Sequence, residues 1–158
     1  MRFVREEQEG QDEWRLLDDD EAPSDTPVLL PLARWLETAP AQAMHCHGLW
    51  VRPDDDLAQV LAAARRSPLV AVEFPNFNDG RGYSIARRLR VAGYEGELRA
   101  VGDILRDQAF YLARCGFTSF APAAHVDSAV FIAGLQDFSF AYQGAADQRS
   151  IIQRLRRA

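Results

Sequence analysis

Short apolar runs recur along this chain near residues 28, 48, 70, 98, 118 and 139, at intervals of about twenty residues, and most of the intervals carry a helical apolar period. Residues 55–66 illustrate the helices. Leu57, Val60, Leu61 and Ala64 fall at three- and four-residue spacing, and Arg65 and Arg66 sit near the negative end of the helix dipole. The run Leu-Val-Ala-Val-Glu-Phe at 69–74 is continuously apolar apart from Glu73, as expected when both faces of a strand are covered. Strand alternating with helix requires parallel strands joined by right-handed crossovers. The expectation is an α/β fold of repeated βα units around a mainly parallel sheet. Units this short and even favour a barrel-like or partial (β/α) barrel over an open doubly wound sheet.

The organisation at the N-terminus differs. Residues 1–17 alternate apolar and polar side chains on either side of Glu9-Gly10-Gln11-Asp12, which predicts a small β-hairpin carrying Phe3, Trp14 and Leu16. Residues 18–26 form an acidic linker with Pro23 and nothing to bury. Residues 27–158 are expected to make one α/β domain, and 158 residues with 47% hydrophobic content suffice for its core.

Charge narrows the partners. The net charge of −5 is concentrated at the start, where ten of the 23 acids but only three of the 18 basic residues fall within the first 25 positions. The body is therefore slightly basic and compatible with a small anion or an acidic partner. Nucleic acid is not expected, since no recognisable module or one-sided basic cluster is visible. All basic residues are arginine, which excludes a Schiff-base lysine and a phosphate-binding loop lysine. No apolar run approaches the roughly 20 residues of a membrane span, and the polar start is unlike a signal segment, so a soluble cytoplasmic protein is expected.

The densest chemistry lies between residues 74 and 120. Asn78-Asp79-Gly80-Arg81-Gly82-Tyr83-Ser84 precedes the apolar period of Ile85, Leu89 and Ala92, so Ser84 reads as an N-cap. A helix N-terminus under a glycine-rich loop offers N–H groups to an anion, and Arg81 could add a forked clamp for a sulfur or phosphorus oxyanion or a carboxylate. The alternative is a tight βα turn in which Asp79 caps the helix and Arg81 pairs with a neighbouring carboxylate. Both readings stay open. The spacing is not the dinucleotide fingerprint.

Arg99 lies on the next strand and Asp103 follows by four residues, so Arg99 is a second candidate for anion binding. Asp79 and Asp103 are candidates for acid–base chemistry if burial separates their pKa values, or else members of a structural ion-pair network. Asp107 and Gln108 open a helix that ends at Cys115-Gly116, and a thiol at a helix C-terminus is the inert kind. Cys46 and Cys115 form no paired motif. In His45-Cys46-His47, adjacent residues on an extended strand point to opposite faces and cannot all reach one ion. No metal is expected. Tyr142 and Gln143 belong to an expected last strand, and Ile151, Ile152 and Leu155 to one face of a terminal helix.

The string Asn-Asp-Gly-Arg-Gly-Tyr-Ser-Ile-Ala-Arg-Arg-Leu-Arg at 78–90 resembles the signature of a bacterial family, domain of unknown function 934. The resemblance continues through Gly96-Glu-Leu-Arg-Ala-Val-Gly-Asp103, Asp107-Gln108 and Arg114-Cys-Gly-Phe117, and more loosely over the rest of the body. It implies a place in assimilatory sulfite reduction, because members are typically encoded beside the reductase and are loosely labelled oxidoreductases. The chain itself shows no flavin or nicotinamide fingerprint, no iron–sulfur cysteine set and no haem ligand pattern, so no cofactor is expected. Three functions are compatible with these residues. The first is an accessory protein of sulfite reduction that binds a sulfur oxyanion at Gly80, Arg81, Gly82, Ser84 and Arg99, or docks on the sulfite reductase. The second is an independent barrel-like enzyme using Asp79 and Asp103 on a small anionic metabolite. The third is a non-catalytic interaction module.

Overall fold

A computed structural model describes residues 1–17, 26–37 and 47–137. In chain order the strands are β1 (Arg2–Arg5), β2 (Gln8–Gln11), β3 (Arg15–Leu16), β4 (Val28–Pro31), β5 (His47–Val51), β6 (Leu69–Phe74), β7 (Glu97–Gly102) and β8 (Ser119–Pro122). The helices are α1 (Leu32–Glu37), α2 (Leu57–Ala64), α3 (Arg81–Val91), α4 (Arg106–Cys115) and α5 (Ser128–Gln136). The apolar runs near 28, 48, 70, 98 and 118 are the five strands β4 to β8, paired in parallel with their sequence neighbours. The run near 139, residues Tyr142 and Gln143, the expected terminal helix, His45 and Cys46 lie outside the described residues.

Strand order in the single sheet is β2-β1-β8-β7-β6-β5-β4-β3. From β3 to β8 the order never reverses, which distinguishes it from a doubly wound sheet, where a reversal sends helices to both faces. The sheet curls into a half-barrel with its helices on the outer side. Strand alternation divides the core accordingly. Val70, Val72 and Phe74 face the helices, while Leu69 and Ala71 belong to a second cluster on the inner face with Leu29, Trp50, Val101 and Ala121.

An open half-barrel leaves that inner face uncovered, and residues 1–17 cover it. The β1–β2 hairpin adds to one edge, antiparallel to β8, while β3 adds to the opposite edge, parallel to β4. The chain between β2 and β3 therefore crosses the inner face as a strap, and Met1, Phe3, Trp14 and Leu16 pack on the inner cluster. Gly48 makes the room. A Cβ there would stand 3.3 Å from the Trp14 ring and 2.9 Å from the Leu69 carbonyl.

The hairpin is real, but its turn is at Glu6 and Glu7, with φ of 50° and 62°, rather than at residues 9–12. Two residues with positive φ form the connection whose twist suits adjacent strands. Trp14 and Leu16 consequently lie on the strap and on β3, not on the hairpin.

Candidate functional site

The C-terminal ends of β5, β6, β7 and β8 define one rim of the half-barrel, the rim on which α/β folds hold ligands. Residues 75–80 leave β6 and enter α3 there. Asp79 Oδ1 accepts from the Arg81 N–H at 3.1 Å and from Arg81 Nε at 3.0 Å, and Asp79 Oδ2 takes Arg81 Nη2 at 2.6 Å. The remaining arm, Arg81 Nη1, pairs with Asp54 from the β5–α2 loop. The hydrogen bonds from Arg81 hold the Asp79 carboxyl below the usual carboxylate range, and the two carboxylates raise the Arg81 pKa still further.

This is the geometry of the tight-turn alternative. One guanidinium shared by two carboxylates carries no surplus positive charge. The cap is Gly80, with Asp79 supplying the oxygen for the first N–H, whereas Ser84 is exposed and already inside the helix. Ser84 is therefore not the N-cap, because the helix begins three residues before it. Gly82 is buried against β6, and a Cβ there would come 2.5 Å from Phe74 Cζ. Close packing of α3 on Phe74 accounts for that glycine.

Asp103 lies on the same rim, after β7. Its backbone N–H donates to the Phe74 carbonyl at 2.8 Å, and its Oδ2 accepts from the Phe77 N–H at 3.1 Å. Gln108 completes the arrangement: its Oε1 accepts from the Leu105 N–H at 2.9 Å while its Nε2 donates to the Phe77 carbonyl at 2.8 Å. Both backbone groups of Phe77 are thus fixed by side chains from the next βα unit. The Phe77 side chain nevertheless points away from the core and is 50% exposed. Tyr111, one turn beyond Gln108, is 54% exposed and its ring lies 5.0 Å from that of Tyr83, which packs edge-on against Phe74 at 5.2 Å. Burial raises the Tyr83 pKa, with the Gln108 side chain acting in the opposite direction.

Arg99 is elsewhere. It sits on the inner face of β7, fully buried, under the strap. Its Nη2 reaches Asp12 Oδ2 and Glu97 Oε1, each at 2.7 Å, its Nε reaches Ser119 Oγ at 3.1 Å, and its guanidinium lies 4.5 Å from the centre of the Phe3 ring. Arg5 also pairs with Glu97. Burial pushes the Glu97 carboxyl up, but the Ser119 hydrogen bond with Arg99 and Arg5 outweighs it, and the net shift is downward. Of the predicted site residues, the structure gathers Asp79, Gly80, Arg81, Gly82 and Asp103 near the rim and sets Arg99 apart.

Phe77 and Asp54 are not among the sequence candidates, and Gln108 enters the sequence reading only as part of a helix start and of the family resemblance. Phe77 is the one apolar residue in a polar loop, a signal that was visible. Among the described residues no group of three His, Cys, Asp or Glu could hold a metal ion, and no helix is long and apolar enough to cross a membrane. An open groove of about 620 Å³ beside the rim, lined by Arg106, His125, Asp127 and Asp137 among others, contains none of the predicted site residues.

Comparison with curated proteins and with solved structures gave no match. Residues 48–152 match the model of one family, described as a bacterial protein of unknown function (DUF934), and they include both rim loops and the Phe77 clamp. The chain belongs to the DUF934 family.

Proposed function

We propose that this chain is a cytoplasmic accessory protein of assimilatory sulfite reduction that docks on the sulfite reductase through the rim centred on Phe77. The sulfur link comes from the family, whose members are typically encoded beside that reductase. The geometry bears on how such a protein would act. Binding a sulfur oxyanion at residues 80–84 would have to displace two carboxylates from Arg81, and Arg99 is sealed beneath the strap. A docking surface asks less.

The observation that carries this reading is the exposed Phe77 side chain on a backbone held at both its N–H and its carbonyl. A rigid aromatic anchor loses little entropy when buried by a partner, which is the property of interface hot spots. Tyr111 and Tyr83 extend the apolar area beside it, with Asp107 and Arg106 exposed on the neighbouring turn.

The test is a strain whose only copy carries Phe77→Ser, grown on sulfate, sulfite or sulfide as sole sulfur source. Growth on sulfide alone, with loss of co-purification of the reductase, is the expected result. Wild-type growth and co-purification by Phe77→Ser would overturn the docking role. If Arg81→Ala rather than Phe77→Ser abolished growth on sulfite, the oxyanion site would replace it.

A further inference from the structure

Arg65, Arg66, Arg87 and Arg88 are exposed, and among the described residues none of them enters a hydrogen bond, an ion pair or a ring contact. Every other described arginine engages a group of the chain, as Arg81 does with Asp79 and Arg106 with Asp137. The sequence separates the four into two pairs, and the fold sets the pairs side by side. α2 packs beside α3, and both helices run back from the rim between parallel strands. Arg65 and Arg66, at the end of α2, therefore lie at the same end of the half-barrel as Arg88 in the last turn of α3.

Neither helix contains an acidic residue. Glu37, which ends α1, and Glu95, in the loop after α3, lie toward that end but are exposed and pair with none of the four. The negative ends of the two helix dipoles offset part of the mutual repulsion, over one turn only. The remaining surplus charge is attractive to anything negative that approaches. Val91 adds a second property. It is 71% exposed, more than Phe77, and stands one turn beyond Arg87 and Arg88 on the same face. An apolar centre bordered by arginines is the composition of an interface rather than of a solvated face.

We propose that this face of α2 and α3, at the end of the half-barrel away from Phe77, is a second docking surface whose partner is a protein segment rich in Asp and Glu, with an apolar side chain between the carboxylates. The arginine forks each take a carboxylate through two N–H groups, and Val91 receives the apolar side chain. Nucleic acid fits less well. A duplex presents phosphates along a track with no apolar group to set on Val91, and the chain's net charge of −5 repels a long polyanion. The surface does not depend on the Phe77 reading, and the two together would let one chain bridge two proteins.

The test is fluorescence anisotropy with the full chain and a labelled peptide, acetyl-Glu-Asp-Leu-Asp-Glu-amide. A twin peptide with glycine for leucine and a DNA duplex of about 12 base pairs are the comparisons. The expected result is saturable binding of the first peptide with Kd below about 1 mM, weakening as salt rises. Arg87→Gln/Arg88→Gln should weaken it at least about tenfold, and Val91→Ser or the glycine peptide several-fold, with thermal unfolding unchanged because these side chains are exposed. No saturable binding below that limit, unchanged affinity in the double variant, or equal affinity for the glycine peptide would each overturn the proposal. So would DNA bound more tightly than the peptide, which would make the face a nucleic-acid surface. A salt-sensitive dimer in sedimentation that disappears in the double variant would make a second copy the occupant and overturn it as well.

Discussion

Arg99 and Asp12, 87 residues apart, meet at 2.7 Å across the inner face of the half-barrel, and their contact fastens the N-terminal strap over the sheet. Arg99 is fully buried and also pairs with Glu97, so removing it takes one buried cation from two carboxylates, of which Glu97 keeps Arg5 and Ser119 and Asp12 keeps the N-terminal ammonium. Breaking a buried ion pair from one side costs about 3–5 kcal/mol. Arg99→Ala should lose about that much stability to urea, and Asp12→Asn, which removes a charge but keeps the shape, clearly less. A loss below about 1 kcal/mol for Arg99→Ala would mean that the strap is held by its apolar residues alone.

Acid should loosen the same fastening. Glu97 has a folded pKa below its ordinary value, so the unfolded chain binds more protons in the acidic range. Its contribution is fully present above the ordinary carboxylate pKa and disappears as the pH falls through the depressed folded value. Asp79 shifts in the same direction through Arg81. Stability measured from pH 7 downward should therefore fall below about pH 4.5, and Glu97→Gln should flatten that slope while lowering the plateau.

The two loop glycines should respond in opposite ways. At Gly80 φ is −80° and nothing stands within 4 Å of an added methyl group, so Gly80→Ala should be neutral or stabilising by up to about 1 kcal/mol, through the unfolded chain. At Gly82 the methyl group meets the Phe74 ring, and Gly82→Ala should cost about 1–3 kcal/mol by overpacking. Gly102 is stricter still, with φ of 106° and a Cβ directed into the Phe74 carbonyl. Thermal unfolding of the three variants checks the ranking. Equal losses at Gly80 and Gly82 would show that backbone freedom, not packing, explains both glycines.

The strands were legible because burial on both faces leaves an unbroken apolar run such as Leu-Val-Ala-Val at 69–72, and the helices because one face repeats, as in Leu57, Val60, Leu61 and Ala64. Residues 1–17 were harder. The period shows that Phe3 and Trp14 want burial, but which sheet edge each end of the segment joins depends on contacts with β8 and β4, far away in sequence. Arg99 illustrates the same limit. An arginine in an apolar strand reads as a ligand group until the carboxylate covering it is known, and Asp12 arrives from the other end of the chain. Ser84 was misread because Asp79, five residues earlier, caps the helix first.

The Phe77 clamp yields the last prediction. Gln108 uses both ends of its amide, one on the Leu105 N–H and the other on the Phe77 carbonyl, so Gln108→Ala removes two hydrogen bonds and releases one side of the loop. Asp103→Ala releases the other side. Each should cost about 1–2 kcal/mol in stability and speed hydrogen exchange at the 76–80 backbone, because a lost side-chain partner leaves a backbone group to water. The double variant should lose less than the sum of the two, since both act on one residue. Phe77→Ser, by contrast, removes only an exposed ring and should leave stability within about 0.5 kcal/mol of the parent. If docking depends on a rigid anchor, Gln108→Ala should weaken association with the reductase although Gln108 presents no apolar surface of its own. An unchanged association in Gln108→Ala, with exchange at 76–80 accelerated, would separate the exposure of Phe77 from the stiffness of its loop and leave exposure as the property that matters.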